Sequence, residues 1–250
     1  MNIKSRPKVS VAMATYNGEK FIKQQIKSIL CQLMTYDELI ISDDGSSDKT
    51  IDIINKFNDK RIKIYNGPKD GINKNFENAI THTTGEYIFL SDQDDIWEKE
   101  KIDIVLEYFK KNKNIALIRH NAIIIDENNN VLSDDLFSEK KITNQSSKLI
   151  RTFITNNYQG CAMAFRSELK EKIIPIPKDI YLYDLWIGLV AIIDYKTLFI
   201  KDKLIRYRRY GNNNSHFYDR NKLGTIIKNR VISLKYIIKY KFKKVKIWKK

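Results

Sequence analysis

Only two cysteines occur in the 250 residues, Cys31 and Cys161, far apart and without CxxC spacing. That excludes a disulfide framework, argues against a zinc site and fits a reducing cytosol. Four prolines and nine glycines exclude collagen-like and linker-rich chains. No apolar run approaches the roughly 18–20 residues that cross a bilayer; the longest, Leu185 to Ile193, stops well short. The opening residues, MNIKSRPKVSVAMATYN, lack the apolar stretch of a signal peptide. The expectation is a cytoplasmic chain, soluble or peripheral to a membrane. Acidic residues are missing altogether from residues 221–250, which hold eleven Lys or Arg. Residues 1–220 then carry 34 basic against 30 acidic side chains, +4 of the total +15. A nucleic-acid-binding fold would line its own body with basic residues, so no nucleic-acid partner is expected.

What is present suits a packed enzyme-sized domain: 42% hydrophobic and 11% aromatic residues. Val9 to Ala14, Glu38 to Ser42, Arg61 to Tyr65 and Glu86 to Ser91 read as β-strands. Helical spacing separates them, first in Phe21, Ile22, Gln25, Ile26, Ile29, Leu30 and Leu33, then in Ile51, Ile54 and Phe57 behind Asp48, then over Asn73 to His82. This alternation predicts an α/β fold with a mostly parallel central sheet flanked by helices. Beyond residue 112 the alternation weakens. Ile115 to Asp126 and Val131-Leu132 read as a strand pair and Lys148 to Ile154 as a short helix. Tyr158 to Arg166 reads as a strand and Leu182 to Ile193 as a helix. Thr197 to Ile200 and Leu204 to Arg208 read as strands. The expected division is a nucleotide-binding half over 1–112, an acceptor-binding half over 113–220, and a helical tail over 221–250.

Ligands of parallel α/β sheets bind beyond the carboxyl ends of the strands. Those ends carry Thr15-Tyr16-Asn17, Asp43-Asp44 and Asp92-Gln93-Asp94-Asp95. Three carboxylates in four residues repel one another, and a hard divalent cation, Mg²⁺ or Mn²⁺, relieves that by sharing them with phosphate oxygens. The plain alternative is a helix N-terminus favouring acidic groups. Asp43-Asp44-Gly45-Ser46-Ser47 alone is an ordinary turn, although a carboxylate there can accept hydrogen bonds from a ribose.

These segments, in order and spacing, resemble glycosyltransferase family 2, the inverting enzymes of the GT-A fold. The residues that carry the resemblance are Val9 to Gly18, Gln25, Ser28-Ile29, Gln32, Asp37 to Thr50 and Gly85 to Asp95. Tyr158 to Phe165, Tyr183 to Trp186 and Tyr207 to Asn212 are similar to its rhamnosyltransferase-like branch. The resemblance implies that Thr15, Tyr16, Asn17, Asp44, Lys74, Asp92, Gln93 and Arg208 hold a UDP- or dTDP-linked sugar. It implies that Asp94, with Asp92, binds the metal, and that Asp184 is the catalytic base. Where the branch often has His, this chain has Tyr210; His216, six residues on, is the substitute ligand or a surface residue. Trp186 and Gly160 are candidates for the acceptor side, against core packing and a β-bulge respectively. For Asp184 the competing reading is a helix N-cap, for Arg208 a solvated strand edge.

Two other classes compete with this enzyme: a non-catalytic module that binds anionic surfaces or nucleic acid, and a sugar nucleotidyltransferase. The latter usually opens with a Gly-rich phosphate loop after its first strand, which is absent here. In the tail, Leu223, Ile226, Ile227, Val231, Leu234, Ile237, Ile238, Phe242, Val245 and Trp248 recur at three- or four-residue steps among lysines. That pattern is a basic amphipathic helix suited to the inner leaflet of a membrane, where a lipid-linked or oligosaccharide acceptor of a surface glycan is assembled. The alternative is that the stripe packs on the domain or on a second subunit of a homodimer.

Overall fold

The computed structural model describes residues 6–137, 149–152, 156–211 and 223–247. Its elements are β1 (Val9–Thr15), α1 (Ile22–Leu30), β2 (Glu38–Asp43), α2 (Thr50–Asn55), β3 (Ile62–Asn66), α3 (Gly71–Thr81), β4 (Tyr87–Ser91), β5 (Ile96–Trp97) and α4 (Lys101–Lys111). There follow β6 (Ile115–Ile125), β7 (Val131–Ser133), a 3-10 turn (Gly160–Ala162), β8 (Met163–Arg166), α5 (Ser167–Ile173), α6 (Tyr183–Asp194), β9 (Lys196–Arg208) and α7 (Leu223–Ile247).

One sheet runs through the molecule in the order β3-β2-β1-β4-β8-β6-β9-β5, with β7 beside β6. β1, β2 and β4 are buried at every position, as strands covered by helices on both faces must be. β3, at the edge, alternates between half-buried and exposed. Strands β3, β2, β1 and β4 are mutually parallel. Their register sets Thr15 beside Asp43 and Met13 beside Ser91. The turns that follow β1, β2 and β4 therefore open along one rim of the sheet.

Beyond β4 the sheet is mixed rather than parallel. β8 lies antiparallel to β4 and β6, while β6 and β9 are parallel to each other. The two strands expected within 197–208 are one, β9, which shifts register against β6 near Asn121. The expected strand over Tyr158–Arg166 keeps only its second half, because residues 160–162 form the 3-10 turn. The expected helix over 148–154 lies partly outside the described residues. α6 is buried over ten consecutive residues from Tyr183 to Ile192. A helix apolar all round needs cover on both sides; sheet residues such as Phe165 and Leu117 pack in its cluster, and Tyr236, Ile237 and Tyr240 of α7 join it.

Candidate active site

The rim is built from backbone turns held by side chains. Asn17 adopts a left-handed conformation (φ 47°), which Asn tolerates better than most residues. Its Oδ1 accepts from the Ser47 N–H at 2.9 Å, and its own N–H donates to Ser46 Oγ at 2.9 Å. Thr15 is buried, donating its hydroxyl to Asp43 Oδ2 at 2.9 Å. Gln93 bridges two strand ends: its Oε1 accepts from Tyr16 N–H at 2.9 Å and its Nε2 donates to Tyr16 O at 3.0 Å. Any Cβ on Gly18 would collide with that amide. Tyr16 is left 57% exposed, a flat apolar surface on the rim.

The two aspartates at the end of β2 have separate jobs. Asp43 accepts from Thr15, from the N–H groups of Gly45 and Ser46, and from the Ser46 hydroxyl, so it holds the turn. Asp44 accepts the Lys69 N–H at 2.6 Å through Oδ1 and is half-buried. Its position leaves it the better placed of the two to meet a ribose hydroxyl.

After β4 the chain places Asp92, Gln93, Asp94 and Asp95 in one turn. Burial and the charges of Asp95, Asp94 and Asp184 push the Asp92 carboxyl well above its ordinary range. Asp95 is fully buried. Burial and then Asp94 raise it to about 7, although its Oδ1 accepts the Arg208 N–H at 3.0 Å. The Cys161 thiol also meets its carboxylate. Burial also raises Asp94, against the Tyr210 hydroxyl, which donates to Asp94 Oδ2 at 2.8 Å. Burial disfavours the charge on both Asp92 and Asp94, and neighbouring carboxylates add to it at Asp92; crowded oxygen donors of this kind suit a hard divalent cation. The residues present therefore fit the implied metal.

Among the described residues, the donor atoms of Asp92, Asp95 and Cys161 come within 4.8 Å of one another. Asp94 is not in that group. No motif in the chain marks Cys161, but its thiol sits under the acidic turn, where burial, Asp95 and Asp92 push it up strongly. Beneath it Lys101 is fully buried, donating to Cys161 O at 3.1 Å and lying 3.9 Å above the Trp97 ring centroid. Burial lowers its ammonium to about 7. Nothing in the local sequence marks either residue, since their meeting depends on the start of α4 reaching the 3-10 turn.

Asp184 sits in the first turn of α6. Its Oδ1 accepts from Asn156 Nδ2 at 2.8 Å and from the Leu185 N–H at 2.6 Å. Burial raises it to about 6, with the Asn156 and backbone hydrogen bonds opposing. The N-cap position belongs to Leu182, so Asp184 is not the cap.

Several expected contacts lie elsewhere. Trp186 is 4% exposed, donates Nε1 to Ile173 O and meets Tyr236 and Tyr240 edge-on; its ring is core and cannot stack on an acceptor sugar. Any Cβ on Gly160 would collide with the Tyr183 hydroxyl, which accounts for glycine there within the fold. Arg208 spends all five guanidinium N–H bonds on protein: Asp94 O, Asp126 O, Glu127 O, Gln24 Oε1 and Asn129 Oδ1. It is neither a solvated edge nor poised for a diphosphate; it ties the acidic turn to α1 and the turn after β6. Lys74 is engaged by Glu77 at 2.8 Å and Ile176 O at 3.1 Å. His216 lies outside the described residues. Tyr210 is therefore the described residue at the branch's histidine position that reaches the acidic turn.

Comparison with known proteins follows the same lines. The family model described as "Glycosyl transferase family 2" matches residues 10–173. An uncharacterised glycosyltransferase of Nostoc sp. is 27% identical over 83% of this chain, which spans 66% of that protein. A UDP-Glc:alpha-D-GlcNAc-diphosphoundecaprenol beta-1,3-glucosyltransferase of Escherichia coli is 35% identical over 54% of this chain and 53% of its own length. Among solved structures, S. aureus TarS 1–349 in complex with UDP-GlcNAc superposes with a TM-score of 0.66 at 18% identity, covering 90% of this chain and 66% of that one. A mannosyltransferase of Pyrobaculum calidifontis in complex with GDP-Man and Mn²⁺ gives 0.62 at 17% identity, covering 86% and 60%. At these identities the structural likeness establishes the GT-A fold alone.

Proposed function

The chain belongs to glycosyl transferase family 2, and from that premise we propose that it transfers a hexose from a UDP- or dTDP-linked donor, with inversion, to a lipid-linked or oligosaccharide acceptor of a bacterial surface glycan. The observation that carries the reading is the parallel register that sets the turns after β1, β2 and β4, with Asp44, Asp92 and Asp94, along one rim; the charge of Asp184, in the first turn of α6, contributes to raising Asp92. Asp92 and Asp94 would then serve the donor side, and Asp184 the acceptor side as base. The lipid-linked acceptor has support from the Escherichia coli relative, whose acceptor by name is a diphosphoundecaprenol-linked sugar.

In this reading the Tyr16 face and Asp44 hold the nucleoside. Asp184 accepts the proton of the acceptor hydroxyl as that oxygen bonds to the anomeric carbon, on the side opposite the departing nucleotide diphosphate. The bond to the diphosphate breaks in the same displacement, and no covalent intermediate with the enzyme forms. Asp184 is suited to this: with a value of about 6 it is ionised at neutral pH yet basic enough to take a proton. A divalent cation, Mn²⁺ or Mg²⁺, held by Asp94 with Asp92, would supply Lewis-acid stabilisation of the leaving diphosphate. Arg208, Tyr210 and Lys101 hold the acidic turn in place.

Isothermal titration with UDP and dTDP, with and without Mn²⁺, followed by a donor-hydrolysis screen over a nucleotide-sugar panel, tests the proposal. Metal-dependent nucleotide binding and slow hydrolysis of one donor class are expected. Absence of binding to any nucleotide in either condition overturns it.

A further inference from the structure

α7 has two faces with different fates. On one, Ser233 and Ile237 are buried. On the same side, Tyr236 and Tyr240 meet Trp186 edge-on, with ring centroids 6.5 and 6.0 Å away. Their hydroxyls donate to Asp179 and Asp194. That face holds the helix to α6. On the other, Ile227, Val231, Leu234, Ile238 and Phe242 are between 45% and 67% exposed. At about 100° per residue those five fall within roughly 80° of arc, turned away from the domain. The single stripe expected from the sequence is thus divided: Ile237 faces inward, and the rest of its described side chains face out.

Five large apolar side chains in one exposed line call for a cover. The charges beside them indicate which. Lys228, Lys235 and Lys239 flank one side of the line and Lys241 the other, all exposed, and residues 221–250 contain no carboxylate. A second copy of the chain would bring an equally basic segment against this one, so like charges oppose self-pairing. An anionic surface satisfies both the apolar line and its lysine margins. The helix lies on such a surface rather than crossing it, because no described helix is long and apolar enough to span a membrane.

We propose that the Ile227–Phe242 face of α7 docks in the interface of an anionic lipid bilayer. The helix it covers on its inner side is α6, which carries Asp184 two residues before Trp186. Docking therefore places the base one helix away from the lipid, which rests on the proposed transfer to a lipid-linked acceptor.

The test is co-sedimentation with vesicles of phosphatidylcholine containing phosphatidylglycerol, and with phosphatidylcholine alone. The full chain should bind the first, not the second, and be released at about 0.5 M salt, where charges are screened within a few ångströms. Val231→Glu with Ile238→Glu alters only the outward face and should lower the bound fraction about ten-fold. Lys235→Ala with Lys239→Ala, which touches no apolar contact, should lower it in the same direction and guards against a folding defect in the first variant. Equal sedimentation of wild type and both variants overturns the proposal. So does a wild-type dimer in light scattering that becomes monomeric in the glutamate variant, since that makes the face a subunit contact. Donor hydrolysis, measured on the same samples, separates the two readings. Vesicle binding without hydrolysis of any donor counts against the transferase alone, and hydrolysis without vesicle binding against the docking face alone.

Discussion

The Tyr210 hydroxyl donates to Oδ2 of Asp94 at 2.8 Å, and the Tyr210 ring rests against Phe21 with centroids 5.0 Å apart. The segment just after β9 thereby grips the acidic turn after β4 through one oxygen of this carboxylate. The bond also opposes the rise that burial imposes on Asp94. Tyr210→Phe removes it while keeping the ring. The Asp94 carboxyl should then take up a proton more readily, so cation binding weakens and its acid limit moves to higher pH. A hydrogen bond to a charged group is worth about 1.5–3 kcal/mol, which bounds the loss of Mn²⁺ affinity at roughly ten- to hundred-fold, largest at acid pH where the variant's carboxyl is protonated. Free Mn²⁺ measured by electron paramagnetic resonance, without any donor, gives the answer. Tighter binding in the variant would mean that the tyrosine competes with the metal instead of preparing its ligand.

Asp184→Asn keeps shape and hydrogen bonding but takes no proton. Turnover should fall by about 10²–10⁴-fold with nucleotide affinity unchanged. In the unmutated protein the working form is the carboxylate, so activity should fall as pH drops through about 6. The residual activity of the variant should lack that limb. Near-normal turnover would leave Asp184 as a residue that only orders the first turn of α6.

Much of this site is legible in the chain because its parts are local. Strand, turn and carboxylate are contiguous at Thr15, Asp44 and Asp92, and parallel pairing brings them to one rim. The apolar surroundings of Asp184 already point to burial. What is not legible is which partner a side chain finds. Arg208 can be recognised as important, but its five protein acceptors come from three separated stretches, and only the packed structure shows that none is left for phosphate. Trp186 obeys helical spacing equally well as core or as platform; the presence of α7 over it decides. Cys161 and Lys101 have no motif at all, and their role arises from the start of α4 reaching the 3-10 turn.

Arg208→Lys separates scaffold from ligand contact. Lysine retains the charge but offers three donors without the planar fork, so at least two of the five carbonyl or amide acceptors lose their partner. If Arg208 is scaffold, urea unfolding should show a loss of about 2–4 kcal/mol, with donor binding weakened only as the acidic turn loosens. A variant of unchanged stability whose donor KM alone rises would assign Arg208 to the diphosphate after all.

Glu38 supplies the acid response of the fold. It lies at the start of β2 and is 2% exposed. It accepts from Ser10 at 2.6 Å, from the Thr84 N–H and hydroxyl at 2.7 and 2.8 Å, and from Lys63 at 2.7 Å. Burial alone would raise its carboxyl, but the Lys63, Ser10 and Thr84 hydrogen bonds together outweigh burial and lower it to about 2. The unfolded chain would titrate it near the ordinary value of about 4.3. Because the folded value is the lower one, its contribution is fully present above about pH 4.3 and is lost as pH falls from there through about 2. The same carboxylate joins β1, β2, β3 and the turn before β4, so its protonation loosens the parallel half of the sheet that carries the rim. Glu38→Gln removes the titrating group while preserving size, so the variant should be less stable at neutral pH and show a shallower loss of stability below pH 4. Urea midpoints recorded at neutral pH and in steps down to about pH 2 measure both slopes. Parallel slopes in the two proteins would place the acid-sensitive group elsewhere.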